Sequence, residues 1–108
     1  MIDEQAILTA FYAVALEKGW EPFHSPRNLA AAISVEAAEL LELHQWELVP
    51  EPMDVQTRTH AANEVADLLM YLVVYCDKAG IDIEEAIREK CAMNRQRFLK
   101  EPSNGREE

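Results

Sequence analysis

The chain has 108 residues, 49% of them apolar, which suffices for one small domain with a modest core. Twenty acidic against 10 basic side chains give a formal net charge of −10. That balance argues against a nucleic-acid polymer as partner, because such binding rests on neutralising phosphates. A small phosphorylated ligand held through a cation and a few local positive groups stays open. The two cysteines, Cys76 and Cys91, show no Cys-x-x-Cys or Cys/His spacing, which argues against zinc, and both are expected to be small buried hydrophobes on separate helices. The start, Ile2-Asp3-Glu4, lacks a basic-then-apolar signal, and the longest apolar stretch, Leu68 to Cys76, is too short to span a bilayer. A cytoplasmic protein without a membrane partner is the expectation.

Period and punctuation predict four helices. The first runs from about Asp3 to Lys18, with Ile7, Leu8, Phe11, Val14 and Ala15 on one face and Gly19 as its stop. A short loop, Trp20 to His24, follows. Ser25 can cap the second helix with Pro26 in its first turn, and that helix extends to about Glu47. Pro50 and Pro52 break the chain. Asp54 caps a third helix reaching about Ala79, stopped by Gly80. Asp82 with Glu85 resembles a capping box for a fourth helix ending near Leu99. Residues 1–100 therefore read as one all-α domain of the four-helix bundle type, and 101–108 as a disordered tail. A core this modest favours association with a second copy.

Two acidic pairs interrupt this pattern: Glu36-x-x-Glu39 on the second helix and Glu64-x-x-Asp67 on the third. Residues three apart on a helix are neighbours. At about 100° per residue, Glu36 lies within about 60° of Leu29, Ile33, Leu40 and Leu43, and Glu39 lies to its other side. Glu42 falls on the rim. Glu64 shares its face with Ala61, Leu68, Tyr71 and Tyr75. Leu40, Leu43, Leu68 and Tyr71 occupy the i+4 positions, so helix salt bridges do not account for these acids. Unpaired carboxylates are costly in an interior, and a cation that gathers all four is the physical remedy. An all-oxygen site suits magnesium first and manganese second. A di-iron site would need Glu-x-x-His motifs, and neither His44 nor His60 completes one. The competing reading is a non-catalytic helical interaction module that docks a basic partner on an acidic face.

The same acids, with residues 40–63 between them, resemble the E-E-x-x-E … E-x-x-D signature of the MazG-like all-α nucleotide pyrophosphohydrolases. Val35 departs from it, standing where many members carry the first Glu of the doublet. The runs Phe23-His24-Ser25-Pro26-Arg27-Asn28-Leu29 and Leu43-His44-Gln45-Trp46 are similar to the dCTP pyrophosphatase branch, where the doublet is likewise reduced. Lys90-x-x-x-Asn94-x-x-Arg97, followed by Phe98, looks like the family's closing segment, so the resemblance covers roughly residues 8–100.

The resemblance implies hydrolysis between the α and β phosphates of dCTP or a related pyrimidine nucleotide, modified ones included, in a nucleotide-cleaning role. Cations held by Glu36, Glu39, Glu64 and Asp67 would polarise the phosphoryl oxygens and acidify a bound water, with Glu39 the preferred candidate for base. Lys90, Asn94 and Arg97 share one face of the last helix and either bind the triphosphate tail or merely complement the helix dipole. Trp20, His24 and Trp46 either pack or form a pocket that stacks a pyrimidine, with His24 or Asn28 reading its edge. Tyr71, one turn beyond Asp67, either contacts sugar or base or is a core tyrosine. Arg27 either meets phosphate or pairs with a helix acid. A homodimer or homotetramer is also implied, because related chains build their sites between subunits.

Overall fold

The structure, a computed structural model, describes residues 2–48 and 51–99. The expected tail, 101–108, lies outside the described residues, as does Pro50. The described chain is all-α: α1 (Glu4–Lys18), a 3-10 turn (Glu21–Phe23), α2 (Pro26–Glu42), α3 (Val55–Ala79) and α4 (Ile83–Leu99).

Local chemistry sets these boundaries. Asp3 accepts from the Ala6 amide to start α1, Ser25 from the Asn28 amide to start α2, and Asp54 from the Thr57 amide at 2.7 Å to start α3. That last bond holds the Asp54 carboxyl below the ordinary carboxylate range. Asp82 does the same for α4, accepting from the Glu85 amide at 3.1 Å. Gly19 and Gly80 end α1 and α3 at φ of 71° and 72°, where an L side chain would be strained. There the following amides, Trp20 and Ile81, reach back to the Ala15 and Cys76 carbonyls at 2.9 and 2.8 Å.

Two details differ from expectation. The helix α2 closes at Glu42 rather than near Glu47. From Leu43 onward the amides bond three residues back, as in Leu43 to Leu40 and His44 to Leu41, which tightens the chain into turns. His44 Nδ1 then meets Glu47 Oε1 at 2.8 Å, within those turns. The segment expected as a loop, Trp20 to His24, contains the 3-10 turn, with Pro22 inside it.

The main interface is α2 against α3, and α1 packs on α3 beside it. Among the described residues the buried apolar side chains are Ala15 from α1, Leu29 from α2, and Val73 and Val74 from α3. The fourth helix stands off this body. None of its residues is buried, and Ile87, Met93, Phe98 and Leu99 are exposed. The radius of gyration is 17.5 Å, against about 13 Å for a compact domain of this length. This corrects the expectation for Cys91: it is exposed because α4 lacks a neighbour, while Cys76, facing the packed side of α3, is half-buried. No helix among the described residues is long and apolar enough to cross a membrane.

Candidate metal centre and adjoining cavity

The α2–α3 interface brings acids together because each helix carries them on the stripe that packs. Leu29 is buried, while Ile33, Leu40 and Leu43 are half-buried along the Glu36 side of α2. Ala61, Leu68, Tyr71 and Tyr75 are half-buried along the Glu64 side of α3. Carboxylate oxygens of Glu36, Glu64 and Asp67 lie within 4.8 Å of one another. Oε1 of Glu36 and Oε1 of Glu64 are buried without a hydrogen-bond partner. Orphan acceptors of this kind call for an explanation such as an ion.

Glu39, one turn on, is exposed, yet it belongs to the same electrostatic unit. The Glu64 carboxylate beside it, ahead of loss of solvent, holds its carboxyl above the ordinary range. Glu64 is itself raised, first by a proton it would share with Glu36, then by loss of solvent and by the Glu36 charge. Among the described residues no lysine or arginine pairs with any of the four acids; the ion pair found there is His44–Glu47. A crowd of like charges without basic partners, offering only oxygen, suits a hard divalent cation. Magnesium fits this donor set: Glu36, Glu64 and Asp67 converge, and Glu39 stands at the rim.

Asp67 also opens onto a cavity of about 300 Å³ between α1, the 3-10 turn and α3. Its aromatic and polar lining is Phe11, Trp20, His24 and Tyr71, with Met70 and α1 alanines completing an apolar wall. His24 is half-buried, and its Nδ1 has no hydrogen-bond partner. Tyr71 is raised above its ordinary pKa by burial first, then by the nearby charges of Glu36 and Asp67. The cavity thus sets aromatic rings beside Asp67, which belongs also to the acid cluster.

The remaining sequence candidates lie apart. Asn28 does not line the cavity; its Nδ2 donates to the Phe23 carbonyl at 2.8 Å, fastening the 3-10 turn to α2. Arg27 Nη1 donates to Asn28 Oδ1 at 3.2 Å. Trp46 is 85% exposed, in the turns after α2. Lys90, Asn94 and Arg97 sit exposed on α4, where the Arg97 guanidinium lies 4.9 Å from the Phe98 ring centre. Phe11 and Met70 are cavity residues that sequence reasoning did not single out for the site. Phe11 was visible only as one apolar position of α1, a pattern that does not separate core from cavity wall.

Among the described residues the fold is all-α, with four helices, and the acid pairs of α2 and α3 meet across their shared interface. The chain belongs to the MazG-like family, whose model matches residues 31–108. It is 40% identical over 95 residues to dCTP pyrophosphatase 1 of Rattus norvegicus, covering 84% of this chain and 56% of that protein. It is 40% identical over 88 residues to dCTP pyrophosphatase 1 of Homo sapiens, covering 78% and 52%. The chain therefore spans about half the length of these curated relatives. The crystal structure of a pyrophosphatase from Archaeoglobus fulgidus superposes with a TM-score of 0.70 at 31% identity, covering 87% of this chain and 90% of that one.

Proposed function

We propose that this chain is a magnesium-dependent nucleoside triphosphate pyrophosphohydrolase. It cleaves the α–β phosphoanhydride of dCTP or a related pyrimidine deoxynucleotide, modified ones included, to the monophosphate and pyrophosphate, cleaning the nucleotide pool of the cytoplasm. The observation that carries the reading is the carboxylate cluster without basic partners, with Asp67 shared between it and an aromatic-lined cavity. The names of the relatives support the same chemistry.

Glu36, Glu64 and Asp67, with Glu39 at the rim, would hold the cation. When bound, magnesium supplies charge stabilisation at the phosphoryl oxygens and acidifies a coordinated water. Glu39 takes the proton of the attacking water: it is exposed, and the charge of Glu64 makes it a better base than an isolated carboxylate. Trp20, His24 and Tyr71 orient the base, with the unpartnered His24 Nδ1 reading its edge. Asn28 serves this pocket indirectly, by holding the turn from which His24 projects.

Lys90, Asn94, Arg97 and Trp46 complete the site in a homodimer or homotetramer. Helix α4 carries exposed apolar side chains and no buried residue, as suits a helix that packs on another copy. In that assembly its basic face meets the triphosphate tail bound by a neighbouring copy.

The test is to incubate the purified chain with each nucleoside triphosphate and Mg²⁺ and to separate monophosphate from pyrophosphate. Turnover of dCTP that is abolished by Glu36→Gln and by Asp67→Asn supports the assignment. No turnover of any nucleotide, together with no metal binding by calorimetry, leaves the acidic docking module in its place. Equal rates with purine and pyrimidine triphosphates would remove the base-reading role of His24.

A further inference from the structure

The rings around the cavity are held unequally, and the difference singles out one side chain. We infer that Phe11 is a positioning residue that sets the orientation of both His24 and Tyr71. This rests on the base-pocket reading given above, and it concerns a residue to which that reading assigns no part. The Phe11 ring centre lies 5.0 Å from that of His24, at an interplanar angle of 52°, and 5.8 Å from that of Tyr71, edge-on at 75°. Both arrangements lie in the favourable range for aromatic pairs. Three segments meet at this ring: α1 itself, the turn leading into α2, and α3.

Hydrogen bonds do not fix the two polar rings. His24 Nδ1 is buried with no partner, and among the described residues no hydrogen bond reaches the Tyr71 hydroxyl. The contrast is Tyr12, whose hydroxyl donates to Asp77 Oδ2 at 2.7 Å and whose ring lies 5.1 Å from Lys78 Nζ. Tyr12 in turn stands edge-on to Phe11, at 6.0 Å and 84°. Phe11 thus packs against one anchored tyrosine and two unanchored rings. Its packing holds both rings without using a hydrogen bond from either.

Without that ring, His24 and Tyr71 gain rotamers that binding must remove. Ordering two such side chains weakens binding by roughly tenfold and leaves the carboxylates untouched. For Phe11→Leu in the full chain, with dCTP and Mg²⁺, KM rises about tenfold while kcat stays within about twofold. Phe11→Met, longer, unbranched and better able to fill the gap, gives the same split and serves if the leucine variant folds poorly.

A second readout is independent of turnover. The His24 ring proton signals, assigned through His24→Gln, differ in the wild type from those of exposed His60 and move towards them in Phe11→Leu. Leu8→Ala, which removes packing from the same helix outside the cavity, lowers the melting temperature and leaves the His24 signals in place. Unmoved His24 signals in Phe11→Leu, or a fall in kcat at constant KM, overturns the inference. If the wild type hydrolyses no nucleotide, the proposed function fails while the proton signals still decide the role of Phe11.

Discussion

Glu64→Gln separates a metal site from a structural acid cluster most directly. The substitution keeps the shape of the side chain and removes one of four crowded negative charges. Its amide can also donate towards Oε1 of Glu36, which is buried without a partner. Without metal, the variant should therefore melt no lower than the wild type, since a raised carboxyl marks a charge that destabilises its surroundings. With metal the order reverses. Magnesium at about 100 times its dissociation constant stabilises a one-site protein by about 2.7 kcal/mol. For a domain near 100 residues that raises the melting temperature by roughly 10–20 °C. The variant, with one of the three converging carboxylates neutralised, should shift by only a few degrees at the same concentration. The assay is differential scanning fluorimetry after chelation, with and without MgCl₂, at constant ionic strength, using KCl as control. An undiminished magnesium shift in Glu64→Gln, or a metal-free variant melting far below the wild type, would refute the reasoning.

Two further outcomes follow from the packing. Burial, and then the bond to Asp77, raises the Tyr12 hydroxyl from 10.0 to about 12, so the folded state keeps its proton longer than the unfolded chain does. The corresponding stability is complete below pH 10 and is lost as pH rises towards 12. Tyr12→Phe should cost about 1 kcal/mol at neutral pH in urea titrations and should flatten the loss of stability across that alkaline window. Leu29, 1% exposed on the α2 face towards α3, is one of few fully buried side chains, and Leu29→Ala should cost about 3 kcal/mol by urea midpoint. A loss below about 1 kcal/mol would mean that the α2–α3 contact does not carry the fold.

Much of the helical plan could be read from residues because its determinants are local. Asp3 and Gly19, Ser25 and Pro26, and Asp54 and Gly80 act within a turn of themselves, and each bounds a helix at or next to the expected residue. The acid pairs were visible for the same reason: three-residue spacing places them on a stripe, and the α2–α3 packing joins Glu36 to Glu64 and Asp67. At three places reading failed or fell silent. The end of α2 depends on a change of hydrogen-bond register from Leu43 onward, in a segment whose composition still favours helix. Cys91 was expected to be buried because free cysteines usually are, a tendency that does not say whether another element covers the helix. Phe11 resembled any other core position, since two of its three ring partners come from other elements.

The isolation of α4 bears on how cooperatively this molecule melts. A 17-residue helix with no buried side chain, half-buried only at Ile83 in its first turn, has little beyond its own propensity and the Asp82 cap to hold it, whereas helical stability in proteins comes mostly from packing. Amide protons near Met93 should then exchange with solvent orders of magnitude faster than those near Val74 in a monomeric preparation. Raising the protein concentration should slow the former selectively, so hydrogen exchange on this one helix reports self-association without any label or added ligand.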